Sequence, residues 1–126
     1  MGGNGMMTGS LTTHVLDIAQ GCPAANMSIA LWRLDSDSSG SQCLKTVRTD
    51  ADGRTALPLL AGDEMIVGTY ELIFAVGEYF AEQEKLDVST AFLNLVPVRF
   101  CIADPSAHYH VPLLTSPWAY STYRGS

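Results

Sequence analysis

His108-Tyr-His-Val-Pro-Leu-Leu-Thr-Ser-Pro-Trp-Ala-Tyr-Ser-Thr-Tyr-Arg-Gly-Ser126 reads as a strand, a break and a second strand. Successive strand side chains point to opposite faces. Between 108 and 114, Tyr109, Val111 and Leu113 form an apolar face, with His108, His110, Pro112 and Leu114 opposite. Ser116-Pro117 interrupts the pattern. From 118 to 124, Trp118, Tyr120, Thr122 and Arg124 share one face and Ala119, Ser121 and Tyr123 the other. Two strands joined by a short turn make a hairpin, whose outer face is expected to bring His110 towards Ser121 and Tyr123. The stretch closes on Tyr123-Arg124-Gly125-Ser126. Chain ends are loose unless tied down, and an ordered end is expected here. A bare His-x-His is most often a pair of surface histidines on an edge hairpin, and these residues alone leave that alternative open.

Working outward, Leu11-Thr-Thr-His-Val-Leu-Asp17 reads as the first strand, with Thr12, His14 and Leu16 on one face and Leu11, Thr13, Val15 and Asp17 on the other. Gln20 to Pro23 is a turn, Ser28 to Leu34 a second strand, Asp35 to Ser41 a hairpin loop and Gln42 to Thr49 a third strand. Thr49-Asp-Ala-Asp-Gly-Arg-Thr55 carries a turn signal at Asp52-Gly53, a pair that tolerates positive φ. Arg54 follows it and is expected to open the next short strand. An Arg after a turn is usually a solvated charge. It gains interest only if the first strand lies beside the strand that carries His110.

Thr69 to Val76 is a further strand, Gly77 to Leu86 the one plausible helix, and Leu93 to Ile102 a strand whose Pro97 suggests an edge or bulge. Asp104-Pro-Ser106 is a turn. Residues 1–10 read as a flexible leader without function, and residues 11–126 as one domain. Seven or eight short strands with one short helix predict an all-β sandwich, immunoglobulin-like or of a related Greek-key type. No strand–helix alternation supports an α/β fold.

The 126 residues suit a single domain with a modest core. Only 16% are charged against 47% hydrophobic, so some apolar surface is expected to go into subunit contacts. A net charge of −6 leaves nothing to neutralise a phosphate track, which excludes nucleic acid as an expected partner. No apolar run reaches the length of a membrane span, and no secretory signal is visible. Cytoplasmic residence is expected, with periplasm and peroxisome left open. Three widely spaced cysteines, Cys22, Cys43 and Cys101, argue against a disulfide framework or a zinc site and are expected to be buried free thiols.

Chemistry narrows by elimination. No carboxylate stands at ligand spacing from the histidines, and Arg54 nearby would repel a divalent cation, so no metal is expected. There is no nucleophile elbow and no phosphate-binding loop. What remains is a set of His, His, Arg and Tyr on strands. It suits proton transfer to and from water, with Arg holding a planar, oxygen-rich anion.

Leu11-Thr-Thr-His-Val-Leu-Asp17, Asp52-Gly-Arg54, His108-Tyr-His-Val-Pro-Leu-Leu114 and Tyr123-Arg-Gly-Ser126 together resemble the 5-hydroxyisourate hydrolases, the transthyretin-related enzymes of urate breakdown. The resemblance runs from Leu11 to Ser126, and its terminal Tyr-Arg-Gly-Ser separates these enzymes from the hormone carrier transthyretin. It implies a transthyretin-like two-sheet sandwich and a homotetramer, a dimer of dimers paired through the strand at 118–124, with active sites in a channel between subunits. It implies catalytic roles for His14, Arg54 and His110, and substrate binding by these three with Tyr123 and Ser126. Arg124 is expected to help shape the site and His108 to be structural. No cofactor is implied. The implied reaction is metal-free ring opening of 5-hydroxyisourate by water, with His14 and His110 sharing base and positioning roles in an order the sequence leaves open. The rival reading is a non-catalytic carrier that binds a small aromatic ligand in the same channel.

Overall fold

The computed structural model describes residues 8–34 and 40–126. Strands account for most of the regular structure. β1 (Ser10–Thr12), β2 (Val15–Asp17), β3 (Cys22–Pro23), β4 (Ser28–Leu34), β5 (Ser41–Arg48), β6 (Leu60–Ala61) and β7 (Gly68–Ala75) precede α1 (Val76–Glu84), the single α-helix among the described residues. β8 (Leu95–Ile102), β9 (His108–His110), β10 (Leu113–Thr115) and β11 (Tyr120–Thr122) follow it.

One layer is the antiparallel sheet β5-β4-β7-β8. β4, β7 and β8 alternate as the strands of a half-buried sheet should. Ile29 and Leu31 on β4, Tyr70, Leu72 and Phe74 on β7, and Val96, Val98 and Ile102 on β8 all point into the core. Each such side chain contributes roughly 1.5–3 kcal/mol of burial free energy. Among the described residues β8 pairs only with β7, so Pro97 stands on an edge strand, where a missing N–H is tolerated.

The other layer is built on β1 and β2, which run parallel to β9 and β10 in the orders β6-β1-β9 and β11-β10-β2-β3. The two sets form one ladder. Val111 N–H donates to Thr12 O at 2.9 Å and Leu113 N–H donates to His14 O at 3.0 Å, carrying the pairing across the break. Pro112, with no N–H, falls between these donors. Leu11, Val15, Tyr109, Val111 and Leu113 close this layer onto the same core.

More strands appear than the sequence suggested because single expected strands are interrupted. The first divides after Thr12 and the one at 108–114 divides after His110. Three further expectations are corrected. Arg54 opens no strand but sits in the turn before Thr55. Ser10 lies in β1 and Gly9 accepts from Gly62 N–H, so the ordered fold begins inside the segment read as a leader. Cys22, Cys43 and Cys101 are exposed thiols, not buried ones, because each falls on the outward parity of an edge strand. Residues 1–7 of that leader and 35–39 of the expected hairpin loop lie outside the described residues. β4 and β5 on either side of the loop pair antiparallel, as a hairpin requires.

Candidate active site

The parallel register of β1 against β9 creates the site. Ser10 stands opposite His108, Leu11 opposite Tyr109 and Thr12 opposite His110. Leu11 and Tyr109 point into the core, so the period of two turns both histidines and both hydroxyl residues to the other face. The two imidazole rings lie 10° from parallel with centroids 6.3 Å apart. Ser10 Oγ bonds His108 Nδ1 at 2.6 Å, and Thr12 Oγ1 bonds His110 Nδ1 at 2.8 Å.

The C-terminal segment seals the far side of β9. Gly125 N–H donates to His110 O at 2.8 Å in an antiparallel bridge. Gly125 lies so close that a Cβ there would stand 2.6 Å from His110 Cδ2. Only glycine fits without moving the imidazole. The Arg124 guanidinium lies over the Tyr109 ring at 4.3 Å and donates to His108 O at 3.2 Å. Such a cation–π contact is worth about 0.5–1 kcal/mol when exposed. The Tyr109 hydroxyl in turn accepts from Ala103 and Asp104 N–H, each at 3.0 Å. Ser126 is thereby carried to the cavity. The sequence placed Ser121 and Tyr123 beside His110, whereas the residue laid against the ring is Gly125.

A tightly tied turn delivers Arg54. Asp50 Oδ1 accepts from the N–H groups of Asp52 and Arg54, and Asp50 N–H donates to Arg54 O at 2.7 Å. Gly53 is buried with φ of +78°, and its carbonyl accepts from Val15 N–H at 2.8 Å. Any side chain there would strain the backbone and strike the Val15 carbonyl. His14 braces the same turn. Its Nε2 lies 2.9 Å from Asp52 O, and since a carbonyl only accepts, Nε2 carries the hydrogen of that bond.

These elements surround a cavity of about 480 Å³ whose walls include Thr12, Arg54, His108, His110 and Ser126. The volume suits a small organic ligand. Arg54 is exposed there, and among the described residues its guanidinium has no hydrogen-bond partner. Burial holds the His110 pKa below the usual histidine value, helped by the charges of Arg54, His108 and His14. At neutral pH its imidazole is therefore a neutral acceptor.

Of the residues singled out in the sequence, Arg54, His110 and Ser126 share this cavity. His14 lies behind the Arg54 turn, close enough to act on His110 electrostatically. Tyr123 is 61% exposed and is not among the cavity walls. Thr12, Ser10, His108 and Gly125 were missed as site residues. Thr12 shares the strand parity of His14, a signal that could have placed it on the polar face. Nothing short of the β1–β9 register could have paired it with His110.

Proteins of known structure and function resemble this chain in sequence and in fold. The model of the HIUase/Transthyretin family matches residues 11–125. The 5-hydroxyisourate hydrolase of Mesorhizobium japonicum is 58% identical over 118 residues, covering 94% of this chain and 93% of that protein. Among solved structures, (S)-allantoin synthase superposes with a TM-score of 0.86 at 47% identity, covering 94% of this chain and 44% of that one. The 5-hydroxyisourate hydrolase of Klebsiella pneumoniae gives 0.72 at 33% identity, with coverage of 94% and 99%. Sea bream transthyretin in complex with thyroxine gives 0.80 at 29% identity, with coverage of 92% and 94%. A family model matched over residues 11–125, together with a relative 58% identical across 94% of the chain, makes this chain a member of the HIUase/Transthyretin family.

Proposed function

We propose that the protein hydrolyses 5-hydroxyisourate to 2-oxo-4-hydroxy-4-carboxy-5-ureidoimidazoline, without a metal. The reading rests on one observation: Arg54, His110 and Ser126, far apart in sequence, line a single cavity with a neutral imidazole and a guanidinium that has no hydrogen-bond partner among the described residues. Similarity to a curated hydrolase at 58% identity supports it.

The roles follow from the hydrogen bonds. His110 is the base. Its Nδ1 is engaged by Thr12, and among the described residues its Nε2 has no partner, so Nε2 takes the proton as water attacks the substrate carbonyl. Arg54 binds the substrate's oxygens and stabilises the charge that develops on the attacked carbonyl, as a fixed, pre-oriented cation does best. His14 is a positioning residue that holds the Asp52–Arg54 turn. Ser126 contributes a hydroxyl to the cavity wall. Tyr123 and the exposed Leu57 beside the cavity are covered when a second subunit closes it. The assembly in this reading is a homotetramer, a dimer of dimers whose subunits pair through the terminal strand.

The carrier reading draws on the thyroxine-bound transthyretin among the structural neighbours. It gives no reason for a neutral imidazole beside an open guanidinium. Freshly generated 5-hydroxyisourate separates the two. The expected result is loss of its absorbance well above the spontaneous rate, in proportion to protein. Binding of an aromatic ligand with no turnover would sink the hydrolase reading. Light scattering on a sizing column tests the assembly, with a mass of four chains expected.

A further inference from the structure

The hydrogen bonds around His110 do not stop at Thr12. Thr12 Oγ1 also lies 3.4 Å from His108 Nε2, a long contact, and His108 Nδ1 lies 2.6 Å from Ser10 Oγ. Ser10, His108, Thr12 and His110 therefore form one row, from an outer end where His108 is exposed and Ser10 half-buried to a half-buried end at the cavity. A hydroxyl donates one hydrogen, and a neutral imidazole carries one N–H. Under that constraint the row has two self-consistent polarities. In the first, His110 Nδ1–H donates to Thr12, Thr12 donates to His108 Nε2, and His108 Nδ1–H donates to Ser10. His110 Nε2 is then a bare lone pair. In the second every bond is reversed, and His110 Nε2 carries hydrogen.

We propose that this row relays protons, with Thr12 the positioning residue that sets the tautomer of His110. The inference rests on the hydrolase reading above and goes beyond it by adding Thr12, His108 and Ser10 to the machinery. As water attacks, its proton goes to His110 Nε2 and its oxygen forms the new bond to the carbonyl carbon. His110 passes its Nδ1 proton to Thr12 Oγ1, Thr12 passes its own to His108 Nε2, and His108 passes its Nδ1 proton to Ser10, which releases one to solvent. When the ring C–N bond breaks, its electron pair stays on nitrogen. That nitrogen takes the Nε2 proton of His110, one proton returns from solvent through Ser10, and the row regains its first polarity. One proton leaves and one enters per turnover.

The need for such a row is electrostatic. His110 faces Arg54 from the 50–54 turn, His14 from the junction of β1 and β2, and His108 on its own strand. An imidazolium there would stand near the Arg54 guanidinium while partly withdrawn from water. Passing the charge outward spares His110 from holding it. The parallel register makes this possible, because it sets each hydroxyl opposite one imidazole on a single face.

Thr12→Val keeps the shape and removes the hydroxyl, while Thr12→Ser restores it. The expected kcat loss for Thr12→Val is roughly 10- to 100-fold, up to the lower bound for a direct proton-transfer group because Thr12 acts through His110, with KM changed less than about threefold and rescue by Thr12→Ser. His108→Phe, which leaves Thr12 in place and removes only its acceptor, should show a smaller loss in kcat. Nitrogen-15 NMR of the imidazoles reads the tautomer without any turnover. His110 should be the Nδ1–H form in the parent protein and mainly Nε2–H in Thr12→Val. Equal kcat in Thr12→Val and Thr12→Ser would overturn the relay, and so would an Nε2–H His110 in the parent protein. If the parent protein turns over no 5-hydroxyisourate, the hydrolase reading has failed, and the tautomer alone then judges the row.

Discussion

Two neighbouring segments of one parallel ladder put buried ionisable groups to opposite uses. On β2, Asp17 is 1% exposed and fully occupied. Its carboxylate accepts from Ala19 N–H, Gln20 N–H, Gln20 Nε2 and the Tyr79 hydroxyl, the last at 2.8 Å. On β9, His110 is half-buried and, among the described residues, makes one side-chain bond, to Thr12. Burial pushes the Tyr79 hydroxyl pKa well above its usual value, with the bond to Asp17 adding to it, so that hydroxyl stays a donor. Burial lowers the His110 pKa, so that ring stays an acceptor. A buried polar group whose partners are all supplied is fixed and serves the fold. One with an unmatched ring nitrogen facing a cavity can serve chemistry. Saturation of the group, more than burial itself, distinguishes the two halves.

Replacing the site half should abolish activity and spare the fold. The largest effect is expected for Arg54→Ala: about a 10³-fold loss in kcat/KM, at the upper end for removing a fixed transition-state donor, measured by absorbance loss of 5-hydroxyisourate. A near-parental rate would separate Arg54 from the chemistry. His110→Asn should lose at least about 100-fold in kcat while its thermal midpoint changes little. An unchanged rate would remove His110 from the mechanism.

The structural half should behave the other way round. Tyr79→Phe leaves Asp17 with three of its four donors and should cost about 2 kcal/mol of stability, the range for a hydrogen bond to a charged group. Urea unfolding reads this, and the rate per folded molecule should not change. A normal stability with a lost rate would erase the contrast between the halves. Gly125→Ala tests the border between them, because the added methyl must push the His110 ring. It should cost about tenfold in kcat, since misplacement of a reacting group is expensive even when the fold survives.

The smallest effect lies in pH dependence. His110 acts as a base only when unprotonated, and its pKa is lowered. Activity should therefore be level through neutral pH and fall only once acid passes below about 6.5, the ordinary histidine value. An acid limb centred above that value would show that another group is the base.

Much of the site was legible before any coordinates. Strand parity placed His14, His110 and Tyr123 away from the core, and none of the three is among the buried side chains. The Asp-Gly-Arg turn was readable because an Asp-Gly pair announces a positive φ. Edge placement of Pro97 followed from its missing donor. The exposed cysteines were misread because residue type was allowed to outvote strand parity. The break after Thr12 was invisible, since the alternation continues unbroken through Thr13 and His14 while the pairing partner changes.

The sequence by itself determined which residues face the core, where the chain turns, and that a family of His, Arg and Tyr positions exists. Those properties are local: they follow from the period of a strand and the allowed φ of a residue. Only the tertiary structure decided that β1 runs parallel to β9 in a register setting Thr12 against His110, and that Gly125 rather than Tyr123 closes on that ring. Pairing partners lie about a hundred residues apart along the chain. Strand register between such segments is set by how two apolar faces share one core, which no local pattern specifies.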